Sequence, residues 1–143
     1  MALQAGYSGT PLAKKLGLKD GQKVGFVALP ENLSWLLDER TFAHTETAGD
    51  FEDLDGADYD YLHIFTNSAA TVDAATPALR ERIAQTGMIW MSWPKKASKV
   101  PTDVTEDTIR NRALRDILVD VKVCAIDDIW SGLKLMIRKE LRT

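Results

Sequence analysis

Runs of consecutive apolar residues recur along the chain, and helix-like segments separate most of them. The segments KVGFVAL (23–29), YDYLHIFT (59–66) and MIWMSW (88–93) predict strands, and KVGFVAL is apolar on both faces. Such runs are typical of buried parallel strands rather than of half-exposed antiparallel ones. Near the C-terminus, VDVKVCAID and SGLKLMIRK predict two more strands, joined by DDIWSG. These five segments predict the framework of a sheet.

The segments between these strands carry helix signals. SGTPLAKKLGLKDGQ contains Thr10, which can cap a helix, and Gly17, which suits its C-terminal end. PENLSWLLDER places its leucines on one side of a helix. SAATVDAATPALRERIAQTG predicts a helix that ends at Gly87 and is either continuous or broken at its proline. PTDVTEDTIRNRALRDIL predicts a helix capped by Thr105 or Thr102.

Residues 41–58 have the weakest pattern. FAHTETA suits a short strand, and GDFEDLDGAD is acidic and contains glycine, as surface loops do. Its carboxylates do not follow the spacing of a calcium-binding loop, so we expect no metal site there.

Alternating strands and helices predict an α/β fold. Right-handed crossovers between the strands give a parallel sheet with helices on both faces, that is, a three-layer Rossmann-like architecture. The last two strands have no helix between them and must form an antiparallel hairpin. We expect residues 1–143 to form one domain, with the helix and turn of residues 1–22 packed on it, because 143 residues suit one core.

Composition narrows the classes of function. The net charge of −3 gives no general attraction to nucleic acid or to anionic lipid, so we expect neither partner. No segment has the pattern of a signal peptide or a membrane span, which predicts a cytoplasmic protein. The single cysteine, Cys124, lies in a strand pattern, where a buried hydrophobic role is favoured over a reactive thiol.

The familiar catalytic motifs are missing from the sequence. It contains no G-x-S-x-G, P-loop, C-x-x-C or H-E-x-x-H. His63 lies within the strand pattern YLHIF, which favours a hydrogen-bonded core histidine over a catalytic base. If the chain has chemistry, a lysine or an aspartate must carry it, such as Lys95 or Asp127. A role without catalysis is therefore favoured.

A binding site is expected at one edge of the sheet, because ligands of open α/β sheets bind outside the carboxyl ends of the strands. WPKK and DDIWS reach this edge from different strands, and they bring tryptophan walls, two lysines and two aspartates. The lysines either pair with the aspartates or hold an acidic ligand. The predicted ligand-binding residues are Trp93, Lys95, Lys96, Asn67, Asp127, Asp128, Trp130 and Ser131.

A parallel sheet with a C-terminal antiparallel hairpin resembles the layout of class I methyltransferases. The resemblance implies a glycine-rich turn after the first strand for the methyl donor, and an acid after the second strand for its ribose. In this sequence Pro30 and Glu31 occupy the turn, which removes a donor and repels a carboxylate, and Glu46 is the candidate acid. We therefore expect no cofactor, with S-adenosylmethionine as the alternative that the resemblance implies.

Three blocks carry a second resemblance: SGTPLAKKLGLKDGQKV, WMSWPKKASKVPTDVTED and LVDVKVCAIDDIWSGLKLMIRK. Together they resemble a bacterial family of short α/β proteins known only as a domain of unknown function. That resemblance implies a compact cytoplasmic α/β protein and transfers no catalytic residues.

Three functions are consistent with these patterns. The first is a module, at most weakly catalytic, that binds a small anionic or nucleotide-like ligand at the WPKK/DDIWS edge. The second is a protein-interaction domain that uses the tryptophans as a contact patch, and the third is a methyltransferase with an altered cofactor loop. A monomer and a dimer fit equally well.

Overall fold

The computed structural model describes residues 12–143, and these residues contain one six-stranded sheet. The strands are β1 (Lys23–Val27), β2 (His44–Ala48), β3 (Tyr59–Phe65), β4 (Ile83–Pro94), β5 (Leu118–Ala125) and β6 (Trp130–Ile137). Their order across the sheet is β2-β1-β3-β4-β6-β5. The first four pair in parallel, and β6 is antiparallel to both β4 and β5. The predicted mostly parallel sheet with a C-terminal antiparallel hairpin is confirmed.

Helices cover both faces of this sheet. Residues 12–16 are helical (α1) and end at Gly17, whose φ of 83° explains the glycine. Thr10, the predicted cap, lies outside the described residues. The longer helices are α2 (Ala69–Arg80) and α3 (Glu106–Leu114). The described residues also contain four 3₁₀ segments: Glu31–Asp38, Phe51–Asp53, Lys96–Ser98 and Lys139–Leu141.

The core has two halves, one on each face of the sheet. On one face Val72 and Leu79 of α2 and Ile109 of α3 pack against the sheet. On the other, α1 and the 3₁₀ segment Glu31–Asp38 cover aromatic residues of the central strands. The buried Trp90 indole donates to the Leu16 carbonyl at 2.8 Å and so fixes α1 to the sheet. This arrangement is the predicted three-layer architecture.

The segment after β1 differs from its prediction, because it is a 3₁₀ helix rather than an α-helix. Its two buried residues, Leu33 and Leu36, are three positions apart. A helix with three residues per turn aligns such a pair along its axis.

Helix α2 is shorter and β4 longer than predicted. The helix stops at Arg80, and β4 begins at Ile83 rather than at Met88, so the predicted helix end at Gly87 is wrong. The proline inside α2 does not break it. The Asp73 carbonyl four residues before Pro77 would lack its helical donor, and Arg112 of α3 donates to it at 3.2 Å.

Helix α3 begins where one of the two predicted caps stands. The Thr105 hydroxyl accepts from the Thr108 N–H, and the Thr108 hydroxyl accepts from the Thr105 N–H, so a reciprocal capping box starts the helix. Among residues 12–143, no helix has the length and apolar composition that crossing a membrane requires.

Candidate functional site

The parallel strands β1, β2 and β3 end side by side and form one wall of a cavity of about 330 Å³. We call it the edge cavity. Its lining comes from the residues that end or follow the three strands, from α2 and from the start of β6: Ala28, Gly49, Asp50, Phe51, Thr66, Asn67, Thr71 and Trp130 are among them. It lies where the strand-end rule places ligands of such sheets.

The turn after β1 is held in an unusual backbone conformation. Ala28 has a φ of 56°, in the left-handed region that glycine adopts easily and other residues rarely do. Its N–H donates to the Ala48 carbonyl at 2.8 Å, so the turn is bound to the end of β2. Pro30 follows in an extended conformation before the 3₁₀ segment.

Replacing Ala28 with glycine should therefore stabilise the protein by about 0.5 to 1 kcal/mol. Relief of the left-handed strain, about 1 to 2 kcal/mol, exceeds the entropy lost by a glycine, about 0.5 to 1 kcal/mol. Thermal denaturation should show a rise in melting temperature of about 2 °C. Ala97→Gly, at a residue outside the left-handed region, is the control and should not raise it. A lower melting temperature for Ala28→Gly would contradict the assigned strain.

Asp50 supplies the carboxylate of the edge cavity. It follows β2 directly after Gly49, and one of its oxygens accepts from the Glu52 N–H at 2.9 Å, which caps the short 3₁₀ segment. Its second oxygen has no hydrogen bond within residues 12–143. Beside it the half-buried Phe51 packs against the core. The edge cavity thus combines one free carboxylate oxygen with an aromatic ring.

Glu46, the acid suggested from the sequence, lies elsewhere. It sits in the middle of β2 opposite Gly25. Its carboxylate accepts from the Tyr59 hydroxyl and, at 2.8 Å, from the Asp55 N–H. Burial opposes ionisation, but these hydrogen bonds outweigh it and lower the pKa of Glu46. Asp50, rather than Glu46, is therefore the acid at the strand end.

Two of the residues predicted for the site, Asn67 and Trp130, do line the edge cavity. Asn67 follows β3, and its carbonyl accepts from the Thr102 hydroxyl at 2.9 Å. Trp130 opens β6, and its ring meets the Phe65 ring edge-to-face with centroids 5.3 Å apart. These residues give the cavity an amide and an aromatic wall.

Trp93 and Lys96 line a different cavity, of about 530 Å³, between the end of β4 and the start of α3. We call it the lysine cavity. It adjoins the edge cavity, since the Thr102–Asn67 hydrogen bond joins a residue of each lining. The single edge site expected from the sequence is thus divided into two compartments.

Two more of the predicted residues, Asp127 and Lys95, lie at the corner between the end of β4 and the start of β6. Asp127 accepts from the N–H groups of Ile129 and Trp130 and from the Asn32 amide, which fixes the turn before β6. The Lys95 N–H donates to the Ile129 carbonyl at 2.7 Å. Within residues 12–143, Lys95 and Lys96 form no ion pair with Asp127 or with the neighbouring aspartate.

The other two predicted residues lie outside both linings. Asp128 is exposed at the tip of the turn, and Ser131 is opposite Trp93 in the β4–β6 pair.

His63 is buried on the central strand, as predicted for a core histidine. Its ring nitrogens lie 2.8 Å from the Tyr61 hydroxyl and 2.7 Å from the Ser92 hydroxyl. The Phe65 ring stacks on it at 4.3 Å. Burial lowers its pKa to about 3. A fully buried, hydrogen-bonded imidazole is a structural element of the core.

Cys124 also has the predicted role. Its thiol is buried and lies 3.3 Å from the Ala125 carbonyl. Burial raises its pKa, which keeps the sulfur in its unreactive thiol form.

Comparison with known proteins identifies the architecture. No protein-family model matches the chain, and no curated protein matches it. The resemblance to a bacterial family of unknown function therefore stays a prediction.

Solved structures do match. A SAM-dependent methyltransferase from Aquifex aeolicus is similar with a TM-score of 0.69 at 12% identity, over 90% of this chain and 89% of its own. Magnesium protoporphyrin IX methyltransferase from Synechocystis PCC 6803, with bound SAM, is similar with a TM-score of 0.62 at 13% identity, over 91% of this chain and 76% of its own. A TehB-like SAM-dependent methyltransferase from Corynebacterium glutamicum is similar with a TM-score of 0.58 at 10% identity, over 91% of this chain and 87% of its own. The chain has the Rossmann-like fold of class I methyltransferases.

Proposed function

We propose that the chain is a binding domain for a nucleoside-type ligand held in the edge cavity. The observation that carries this proposal is the lining itself: a carboxylate at Asp50, one oxygen of which has no hydrogen bond within residues 12–143, an aromatic ring at Phe51 and an amide at Asn67. A carboxylate oxygen accepts a hydrogen bond from a sugar hydroxyl, and an aromatic ring stacks on a base. The volume of about 330 Å³ falls within the range of about 300–1,000 Å³ for small-molecule pockets.

Solved structures with the same fold support a nucleoside in particular. The Synechocystis methyltransferase binds SAM in one structure and SAH in another, and a glycopeptide N-methyltransferase is complexed with sinefungin. Each of these compounds is an adenosine joined to an amino-acid tail. For this chain we propose only the nucleoside part.

The turn after β1 does not fit the amino-acid tail of S-adenosylmethionine. Ala28 uses its N–H on Ala48, Pro30 has none, and Glu31 adds a negative charge to the segment that follows this turn. A glycine-rich turn would offer free N–H groups and a close approach. The residues present do not suit the intact methyl donor, and we derive no transfer reaction from them.

Charge distinguishes a nucleoside from a nucleotide. The lining of the edge cavity contains Asp50 and no lysine or arginine. A phosphate there would face a carboxylate without a neutralising cation, which is unfavourable. We therefore narrow the anionic or nucleotide-like ligand expected from the sequence to an uncharged nucleoside at this cavity.

The protein-interaction alternative has weaker support. It needs aromatic side chains on a flat exposed surface. Trp93 is only 7% exposed, and Trp130 is half-buried in the wall of the edge cavity.

Isothermal titration with adenosine and adenosine 5′-monophosphate tests the proposal. Adenosine should bind with a dissociation constant below about 1 mM, and more tightly than its phosphate. Asp50→Asn keeps a cap for the 3₁₀ segment but removes the charge. Since hydrogen bonds to charged groups contribute about 1.5 to 3 kcal/mol, adenosine affinity should fall about tenfold or more.

Asp53→Asn is the matched control, because Asp53 belongs to the same 3₁₀ segment but does not line the cavity. Its affinity for adenosine should equal that of the unaltered protein. Equal loss in both variants, tighter binding of the phosphate, or no binding of adenosine would contradict the proposal.

A further inference from the structure

We propose that the lysine cavity is a second binding site, and that it takes a small planar apolar molecule carrying one anionic group, such as an aromatic carboxylic acid. It encloses about 530 Å³ and is lined by the segment from the end of β4 to the start of α3. This site does not depend on the nucleoside proposed for the edge cavity, because Asp50 and Phe51 do not belong to its lining.

The walls of the lysine cavity define the apolar part of the ligand. Trp93, Pro94, Val100, Pro101 and Val104 supply them. Trp93 and Val104 are buried, and the two prolines stiffen the chain on either side of the Lys96–Ser98 turn. A pocket with flat aromatic and proline walls is suited to a planar apolar body.

The charged groups of the lining are two lysines and one glutamate, and the glutamate is already paired. The Thr102 hydroxyl donates to the Asn67 carbonyl, and the Thr105 hydroxyl caps α3. The carboxylate of Glu106 is in an ion pair with Arg110. Within the described part of the chain, Lys96 and Lys99 form no ion pair. Two ammonium groups beside an apolar pocket attract an anion.

The backbone of the turn is a second, independent feature. Lys99 has a φ of 63°, a left-handed conformation that is unfavourable for a residue with a side chain. Glycine would adopt this conformation without that cost, but it would not supply an ammonium group. Strained residues of this kind cluster at binding sites. Ala28, another of the three non-glycine residues with positive φ among residues 12–143, lines the edge cavity.

The test compares three probes of equal shape and different charge: 2-naphthoate, 2-naphthylmethanol and 2-naphthylmethylammonium. Two-dimensional ¹⁵N–¹H spectra of the full chain locate each probe and give its affinity. We expect 2-naphthoate to shift the amides of residues 93–106 and to bind at least fivefold more tightly than the alcohol. The ammonium probe should bind most weakly. Raising the salt concentration should weaken only 2-naphthoate, because exposed charges are screened.

Lys96→Ala combined with Lys99→Ala should reduce the affinity for 2-naphthoate about fivefold and leave that for the alcohol unchanged. Lys95→Ala is the matched control, since Lys95 is adjacent in sequence but outside the lining, and it should change neither. Asp50→Asn should not change 2-naphthoate binding either, which separates this site from the edge cavity.

The proposal would be overturned by equal binding of the anion and the alcohol, by no binding of any probe, or by shifts outside residues 93–106. An unchanged affinity of the double lysine variant for 2-naphthoate would do the same.

Discussion

Lowering the pH from 6.5 to 5 should reduce the free energy of unfolding by about 2 kcal/mol through His63 alone. The imidazole is fully buried, and burial lowers its pKa from the ordinary 6.5 to about 3. Between these values the unfolded chain binds a proton that the folded protein does not. The stabilisation is therefore complete above pH 6.5 and is lost as the pH falls toward 3. At about 1.4 kcal/mol per pH unit, the full loss reaches about 4 to 5 kcal/mol.

The pH window separates His63 from the carboxylates. Asp116 and Glu46 also have lowered pKa values, but their ordinary values are 3.8 and 4.5, so their stabilisation is lost mainly below about pH 5. Urea denaturation at several pH values between 6.5 and 5 measures the slope. The variant His63→Gln should lose most of this slope, whatever its stability at neutral pH.

His44→Gln is the control for the histidine effect. His44 is the other histidine of the chain and is exposed on the edge strand β2, so removing it should leave the slope as it is. In the unaltered protein, the NMR resonances of the His63 ring should not change between pH 7 and pH 5. Titration of that ring within this range, or an equal slope in His63→Gln, would show that the core histidine is accessible to protons.

Replacing Gly87 with alanine should destabilise the protein by about 3 kcal/mol or more, with a drop in melting temperature on the order of 10 °C. An added Cβ would lie 2.5 Å from the Tyr59 carbonyl oxygen and within 3.2 Å of two backbone atoms of Ala84. Backbone atoms cannot rotate away as a side chain can. The strain must therefore shift strand β3 or β4.

Gly87 belongs to the irregular part of β4 that sets its register. Tyr59 pairs with Ile83 and Tyr61 pairs with Met88, so residues 84–87 bulge where β3 has a single residue. The bulge absorbs the extra residues of β4, so that β4 pairs with β3 both before the bulge, at Ile83, and after it, from Met88 onward. Gly49→Ala is the control, because nothing lies within 4 Å of its added Cβ. It should melt within about 2 °C of the unaltered protein; a similar result for Gly87→Ala would refute the tight approach.

The sequence predicts the order of strands because their apolar runs are long and continuous. The edge strand β2 carries little sequence pattern, because its residues are mostly exposed. The length of β4 could not be predicted: its first residues, Ile83 to Gln85, read as the end of α2, and only pairing with Tyr59 makes them a strand. Long-range pairing here overrides local propensity.

The sequence predicts at which edge of the sheet the candidate site lies, but not that this edge is divided into two cavities. The strand-end rule places Asn67 and Trp130 at the ligand edge, and both line the edge cavity. The division into two cavities depends on Thr102 binding Asn67, 35 residues away in sequence, and no local pattern contains that contact. Asp50 can be recognised from the sequence only once the end of β2 is placed, because the acid then directly follows HTETAG.

Titration of the ¹⁵N-labelled full chain with adenosine, followed by ¹⁵N–¹H spectra, tests directly whether the edge cavity binds a nucleoside. We expect concentration-dependent shifts in the amides of residues 49–51 and 66–67, which include Asp50 and Asn67. Saturation of these shifts should give the same dissociation constant as calorimetry. Shifts confined to another surface, or none at all, would contradict the assignment of the edge cavity as a nucleoside site.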